Sequence, residues 1–284
     1  MVKPPCPSPH SHGQRPAGAP SPKFTATVEH DGGRYAALVK FALPGAGEAA
    51  ERWADLLACE HPALEVLRGA GVSAAESSLI QTDSHSFLEV KRFDRSPGTL
   101  GRRGFVSLLA LSSAYVGDVT MDWGQAGEQL RAQRWIHQET TTALSRLHAF
   151  GQLIGNTNMH QRNVDFHLLD QGALPLAPAY DMLPMSLASS RTGVLRGTTP
   201  LPPVAPRRAG QLDHLQWAAP LAVDFWEPVA ASGLLRSKVL LEVAGQNAAR
   251  VRAMGNRFGR GTLLRRVGGE RRPDSTTLSR CTGL

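Results

Sequence analysis

Two residues stand out as able to do chemistry, Asn163 and Asp181. Asn163 closes a polar run, Asn156-Thr157-Asn158-Met159-His160-Gln161-Arg162-Asn163, that follows a helical stretch ending at Gly155. Asp181 stands alone in an apolar frame, Ala179-Tyr180-Asp181-Met182-Leu183. An amide and a lone carboxylate offer hard oxygens, the ligands magnesium prefers, and magnesium shares its shell with phosphate oxygens. Lys40, at the end of the apolar run Ala36-Ala37-Leu38-Val39, adds a cation of the kind that reaches nucleotide phosphates. Phosphoryl transfer asks a protein mainly for positioning and charge neutralisation, so these few groups go far towards it.

The spacing makes the comparison sharper. In the protein-kinase pattern a loop Asp is followed five residues later by an Asn, a separate downstream Asp holds magnesium, and a strand Lys follows V-A-I. Asn163, Asp181 and Lys40 match three of these places, although a strand-end Lys is also a common snorkelling residue. The fourth place, five residues before Asn163, holds Asn158. An amide can orient a substrate hydroxyl but cannot take its proton, and a positioned general base contributes ~10²–10⁴ in rate. Asp165, two residues past Asn163 and on the same face of a strand-like segment, is a weak substitute for that base or an extra metal contact.

With these motifs in hand, GNTNMHQRNVDF followed by LAPAYDMLPM resembles the HipA-type serine/threonine kinase family, the HipA-like C-terminal domain, whose loop reads G-N-T-D-x-H-x-x-N. The resemblance is greatest to its YjjJ-like branch and covers roughly residues 18 to 250. It implies an α+β, bilobal protein-kinase-like fold with a small mixed N-lobe and a mainly helical C-lobe. It implies ATP and Mg2+ as cofactors, with Asn163 and Asp181 on the metal. His160 and Arg162 then lie near the γ-phosphate, and Tyr180 beside Asp181 in the nucleotide site. Lys91-Arg92-Phe93-Asp94-Arg95 resembles the family's E-R-F-D-R segment, which links the lobes and offers backbone groups to the adenine edge; Arg92 and Asp94 read equally as a structural ion pair. Gly18 to Phe24 keeps the Pro-Lys-Phe of the family's A-G-E-Q-P-K-F loop and loses its Gly and Gln. Lys23 remains to contact phosphate, but two prolines remove donors and stiffen the cradle. Among Glu51, Glu60 and Glu65, the partner for Lys40 is Glu60, set in the apolar surroundings Leu56-Leu57-Ala58-Cys59. Partners implied are a protein substrate and a DNA-binding antitoxin, as in toxin–antitoxin pairs.

The elements that must position these residues follow in order. Residues 1–21 are rich in Pro, Ser, Gly and His and read as disordered, with Cys6, His10 and His12 an incomplete metal set. Phe24–Val28 and Arg34–Phe41 flank an Asp-Gly turn and read as a hairpin. Residues 48–70 show helical spacing interrupted near Pro62, and Ser86–Arg95 alternates as a strand, completing an N-lobe over residues 22–95. Phe105–Ala114 and Gly127–Gln152 read as helices of a C-lobe over residues 96–256, the second delivering the catalytic loop at residues 155–166. Residues 191–210 read as a mobile loop, 212–252 as helix, and 257–284 as a basic tail without helical pattern.

A net charge of +7 favours an anionic partner without choosing one. The Arg cluster from Arg250 to Arg272 reads as a solvated tail, and no helix-turn-helix, zinc-finger or aromatic RNA-binding signature accompanies it, so direct nucleic-acid binding is disfavoured. Three scattered cysteines suit reduced thiols, and no apolar run approaches ~18 residues, so a cytoplasmic protein away from membranes is expected. Three functions stay open: a kinase attenuated by Asn158, a nucleotide-binding pseudokinase or truncated remnant acting through partners, and a basic nucleic-acid binder.

Overall fold

The chain is seen as a computed structural model that describes residues 22–30, 33–42, 47–83, 85–96, 98–189 and 198–268. The expected disordered N-terminus, the end of the basic tail and the first part of the 191–210 loop lie outside them. The first lobe is a four-stranded sheet with strand order β1-β2-β4-β3, in which β1 (Lys23–His30), β2 (Gly33–Ala42), β3 (Ser77–Gln81) and β4 (Ser86–Lys91) all pair antiparallel. The β1–β2 hairpin is the one expected around the Asp-Gly turn. Strand β4 alternates buried and half-buried positions, which places Leu88 and Val90 on the core face.

Helix α1 (Glu48–Gly69) connects β2 to β3 and packs against the sheet on one side and the second lobe on the other. Burial from both sides explains why its apolar positions outnumber a single stripe, with Ala54, Leu56, Leu57, Leu64 and Leu67 all in the core. The expected interruption at Pro62 does not occur; the helix runs through it. An interior proline costs about 3 kcal/mol, and burial of several Leu side chains at about 1.5–3 kcal/mol each outweighs that. Asp55, on α1 and 1% exposed, accepts the backbone N–H groups of Arg236 at 2.8 Å and Ser237 at 3.0 Å. Those two residues form the turn between α5 (Gln211–Ala231) and α6 (Lys238–Gly268).

In the second lobe, Phe105–Ser107 is a strand, β5, rather than the start of a helix; it pairs with β6 (Asp165–His167). A four-residue helix α2 (Leu108–Leu111) and a π-helical turn (Ser112–Val116) follow it. The expected helix over 127–152 is two helices, α3 (Trp123–Ala132) and α4 (Gln138–Leu153). The break falls at Arg134, whose φ of 64° no helix permits, and the Trp135 carbonyl leaves the helix pattern to accept Leu174 N–H at 2.8 Å. The supposed tail is helical as far as Gly268, because Phe258 is buried in the core and continues α6 beyond residue 257. Among the described residues no helix is long and apolar enough to cross a membrane.

Candidate active site

The loop expected to carry the chemistry starts from the C-terminus of α4. Gly155 N–H bonds Gln152 O at 3.2 Å and Asn156 N–H bonds Gly151 O at 2.8 Å, a Schellman end with Gly155 at φ +75°. A Cβ there would lie 2.5 Å from Ser186 Oγ and 2.7 Å from Leu201 Cδ2, so only glycine fits. Trp226, fully buried on α5, donates its Nε1–H to the last-turn carbonyl of Leu153 at 3.0 Å. The helix end is therefore fixed from two sides before the loop begins.

At the centre of the cleft, Lys40 Nζ donates to both oxygens of Glu60, at 2.8 and 2.7 Å, and is also paired with Asp181. Lys40 is 8% exposed and Glu60 0%. Burial alone pulls the Lys40 ammonium down, but the Glu60 and Asp181 carboxylates outweigh it and hold it above its ordinary range. Burial raises the Glu60 carboxyl, against the pull of Lys40. Glu60 is thus the α1 carboxylate that meets the strand Lys. Asp181 takes a backbone φ of +54°, a left-handed conformation uncommon outside glycine. Its N–H donates to Glu60 Oε1 at 3.2 Å and its carbonyl accepts Asn156 Nδ2 at 3.3 Å. Such a backbone state persists where surrounding contacts over-determine it.

Asn156, 3% exposed, is the connector that sequence reading left unassigned. Its Oδ1 accepts the Asn158 N–H at 3.0 Å, and Asn163 Nδ2 donates to the Asn158 carbonyl at 2.9 Å. One chain of contacts therefore runs from Glu60 through Lys40, Asp181 and Asn156 to Asn158 and Asn163. The signals for Asn156 in the sequence are its place directly after the helix-ending glycine and its match to the second position of the G-N-T-D loop.

Two cavities meet at Lys40 and Asp181. The larger, 260 Å3, is walled by Leu38, Ala75, Val90, Phe93, Phe105 and Tyr180, with Lys91 also lining it. Phe93 stacks on Tyr180 at 5.8 Å between centroids and meets Phe105 edge-on at 5.7 Å. Arg92 and Asp94 also line it and form a bidentate pair at 2.8 and 2.7 Å, so the structural ion pair and the cavity position coexist. The hydrogen bond from Arg92 holds the Asp94 carboxyl below its usual range. The smaller cavity, 130 Å3, takes in Lys23, Trp53, Leu57, Glu60 and Asn158 besides Lys40 and Asp181.

Other expected residues sit elsewhere. Asn163 ends a 3-10 turn (Gln161–Asn163) and Asp165 opens β6, so the same-face rule for a strand does not link them. Asp165 lines the larger cavity, apart from Asn158, and accepts the Tyr180 hydroxyl at 2.7 Å; burial raises its carboxyl. His160 and Arg162 are exposed and line neither cavity; their backbone carbonyls accept Trp123 Nε1–H at 3.3 Å and Tyr180 O–H at 3.2 Å. No cluster of three or more His, Cys, Asp or Glu side chains suited to a metal exists among the described residues. One carboxylate and one amide still suit magnesium, which keeps waters and phosphates in its shell. The apolar, aromatic-walled cavity opening onto a Lys–Asp pair likewise suits a nucleotide.

A small antiparallel sheet with one long helix, a helical second lobe and a cleft between them define a protein of kinase-like fold. The chain belongs to the family described as HipA-like C-terminal domain, whose model matches residues 15–223. It is 36% identical over 217 residues to Toxin YjjJ of Escherichia coli (strain K12), covering 75% of this chain and 47% of that protein, so it spans about half the length of that curated relative. Among solved structures it is similar to the Helicobacter pylori proinflammatory kinase CtkA, with a TM-score of 0.55 and 12% identity over 84% of this chain and 95% of that one. It is also similar to a chain of the Shewanella oneidensis MR-1 toxin–antitoxin complex of HipA, HipB and operator DNA, with a TM-score of 0.50 and 13% identity over 89% and 67% of the two chains. At such identities the two structures speak for the fold.

Proposed function

We propose that the chain binds ATP with magnesium in the cleft and is a HipA-type serine/threonine kinase attenuated at the transfer step. The observation that carries this is the Lys40–Glu60–Asp181 cluster, set where the apolar cavity meets the polar one. In this reading the larger cavity takes the base, Lys40 reaches the phosphates, Glu60 holds Lys40 in place, and Asp181 with Asn163 holds the metal. ATP supplies the γ-phosphoryl group, and magnesium neutralises charge that develops during its transfer. Asn158 orients an acceptor hydroxyl of a protein substrate through its amide but leaves the proton without a nearby base.

That same substitution favours a second reading, a nucleotide-binding pseudokinase that acts through a partner. The structural relative that comes with HipB and operator DNA suggests an antitoxin-like, DNA-binding partner. Calorimetric titration with ATP, with and without magnesium, tests both readings at once: metal-dependent binding is expected, and its absence removes both. Phosphate incorporation by Asn158→Asp then separates them.

A further inference from the structure

Three carboxylates line the 260 Å3 cavity, and two of them are neutralised, Asp94 by Arg92 and Arg95 and Asp181 by Lys40. The third, Asp165, has no Lys or Arg partner among the described residues, although it is only 7% exposed. Its Oδ2 accepts the Tyr180 hydroxyl at 2.7 Å. Its Oδ1 takes no donor from the described residues, yet it is not sealed off, and the opening it keeps is the cavity that the residue lines. The backbone fixes this placement: Asp165 pairs with Ser107 of β5, and its carbonyl accepts the Ala177 N–H at 2.9 Å. Burial raises the Asp165 carboxyl, and the charge of Asp94 adds to it. A buried carboxylate without a cation is costly unless hydrogen-bond donors satisfy it. One open acceptor on an apolar, aromatic wall is the kind of group by which a pocket orients a ligand and discriminates among ligands.

We propose that Asp165 reads the base: its free Oδ1 accepts from the exocyclic amino group of adenine, which makes it the residue that selects ATP over nucleotides whose base carries a carbonyl there. The inference rests on the nucleotide-binding reading above. Adenine presents an amino donor where guanine and hypoxanthine present a carbonyl oxygen, and that oxygen would face a carboxylate. Guanine's two adjacent N–H groups engage both oxygens of a carboxylate, and Tyr180 already holds one of them. Calorimetric titration of the full chain, with magnesium, compares ATP, inosine triphosphate, GTP and the triphosphate of unsubstituted purine riboside. The wild type is expected to bind ATP about tenfold or more tighter than the purine analogue, the effect of one hydrogen bond to a charged acceptor. Asp165→Asn keeps the shape and an acceptor for Tyr180 but turns an amide N–H to the cavity. ATP binding then weakens about tenfold, the purine analogue is unaffected, and inosine triphosphate gains. Equal affinities for ATP and the purine analogue in the wild type, an equal loss for both in the variant, or tighter binding of GTP than of ATP overturns the proposal while nucleotide binding itself stands. If the wild type binds none of the four, the nucleotide reading fails and the proposal with it. Should Asp165→Asn not fold, Asp165→Ser makes the same comparison, and in either case the wild-type ratio of ATP to purine analogue must exceed one.

Discussion

The Glu60 carboxylate accepts the backbone N–H of Asp181 at 3.2 Å, across 121 residues of sequence. The same Oε1 also accepts from Lys40 at 2.8 Å. A single buried carboxylate thus holds both the strand Lys and the backbone of the residue opposite it. Removal of one partner from a buried ion pair strands the other charge and costs roughly 3–5 kcal/mol. Glu60→Ala is expected to lower stability by an amount in that range, read by urea denaturation, and to weaken ATP binding. A variant as stable as the wild type would sink the role given to this pair.

Asn158→Asp places a carboxylate where the loop holds an amide. Its backbone contacts to Asn156 and Asn163 do not involve the side chain that changes, so the loop geometry should survive. Phosphate incorporation into a generic protein substrate, followed with radiolabelled ATP, is expected to rise by ~10²–10⁴. No rise with ATP binding intact would favour the pseudokinase.

Gly155→Ala forces a Cβ to within 2.5 Å of Ser186 Oγ at a φ of +75°. The left-handed backbone alone costs an L-residue roughly 1–2 kcal/mol. A clear fall in melting temperature is expected, together with loss of ATP affinity, because the loop to Asn163 is launched from this residue.

His148 lies on α4 near Asp122 and Arg208, and burial holds its imidazole below the ordinary value of 6.5. The unfolded chain therefore binds the proton more tightly than the folded one. Stability from the neutral ring is fully present above about pH 6.5 and is lost as pH falls towards the lower folded value. Melting temperatures between pH 7.5 and 5 are expected to drop, and His148→Gln to flatten the drop only in part, since burial also lowers His61 and His214. An unchanged slope in the variant would exclude the linkage.

The centre of the site was legible because its residues are chemically out of place: a Lys ending an apolar strand, an Asp in an apolar frame, a Glu among leucines. Such exceptions carry their reason with them, since burial of charge is costly unless it is paired. Asn156 matches the family loop, but its role as connector was not legible, because only folding brings Asp181 against it. Asp165 lies beyond a 3-10 turn from Asn163, so strand alternation carries no information about which side it takes. Elements went astray where packing overrode local pattern. Leucines on both sides carry α1 through Pro62, and the Arg134 corner divides what periodicity joins.

The placement of α1 also decides how the cleft can open. Asp55 binds the turn between α5 and α6, and Arg236 from that turn reaches the Thr82 carbonyl at 2.5 Å, so the helix and the far edge of the sheet are tied to the second lobe. Glu60, one and a half turns further along, ties the same helix to Lys40 and Asp181. A jaw-like rotation of one lobe against the other would have to break both ends of that brace. Strand β2 shares in the brace, because it carries Lys40 and pairs with β4 from Ala37 to Ala42, so the cleft is held at a set width before any ligand enters it.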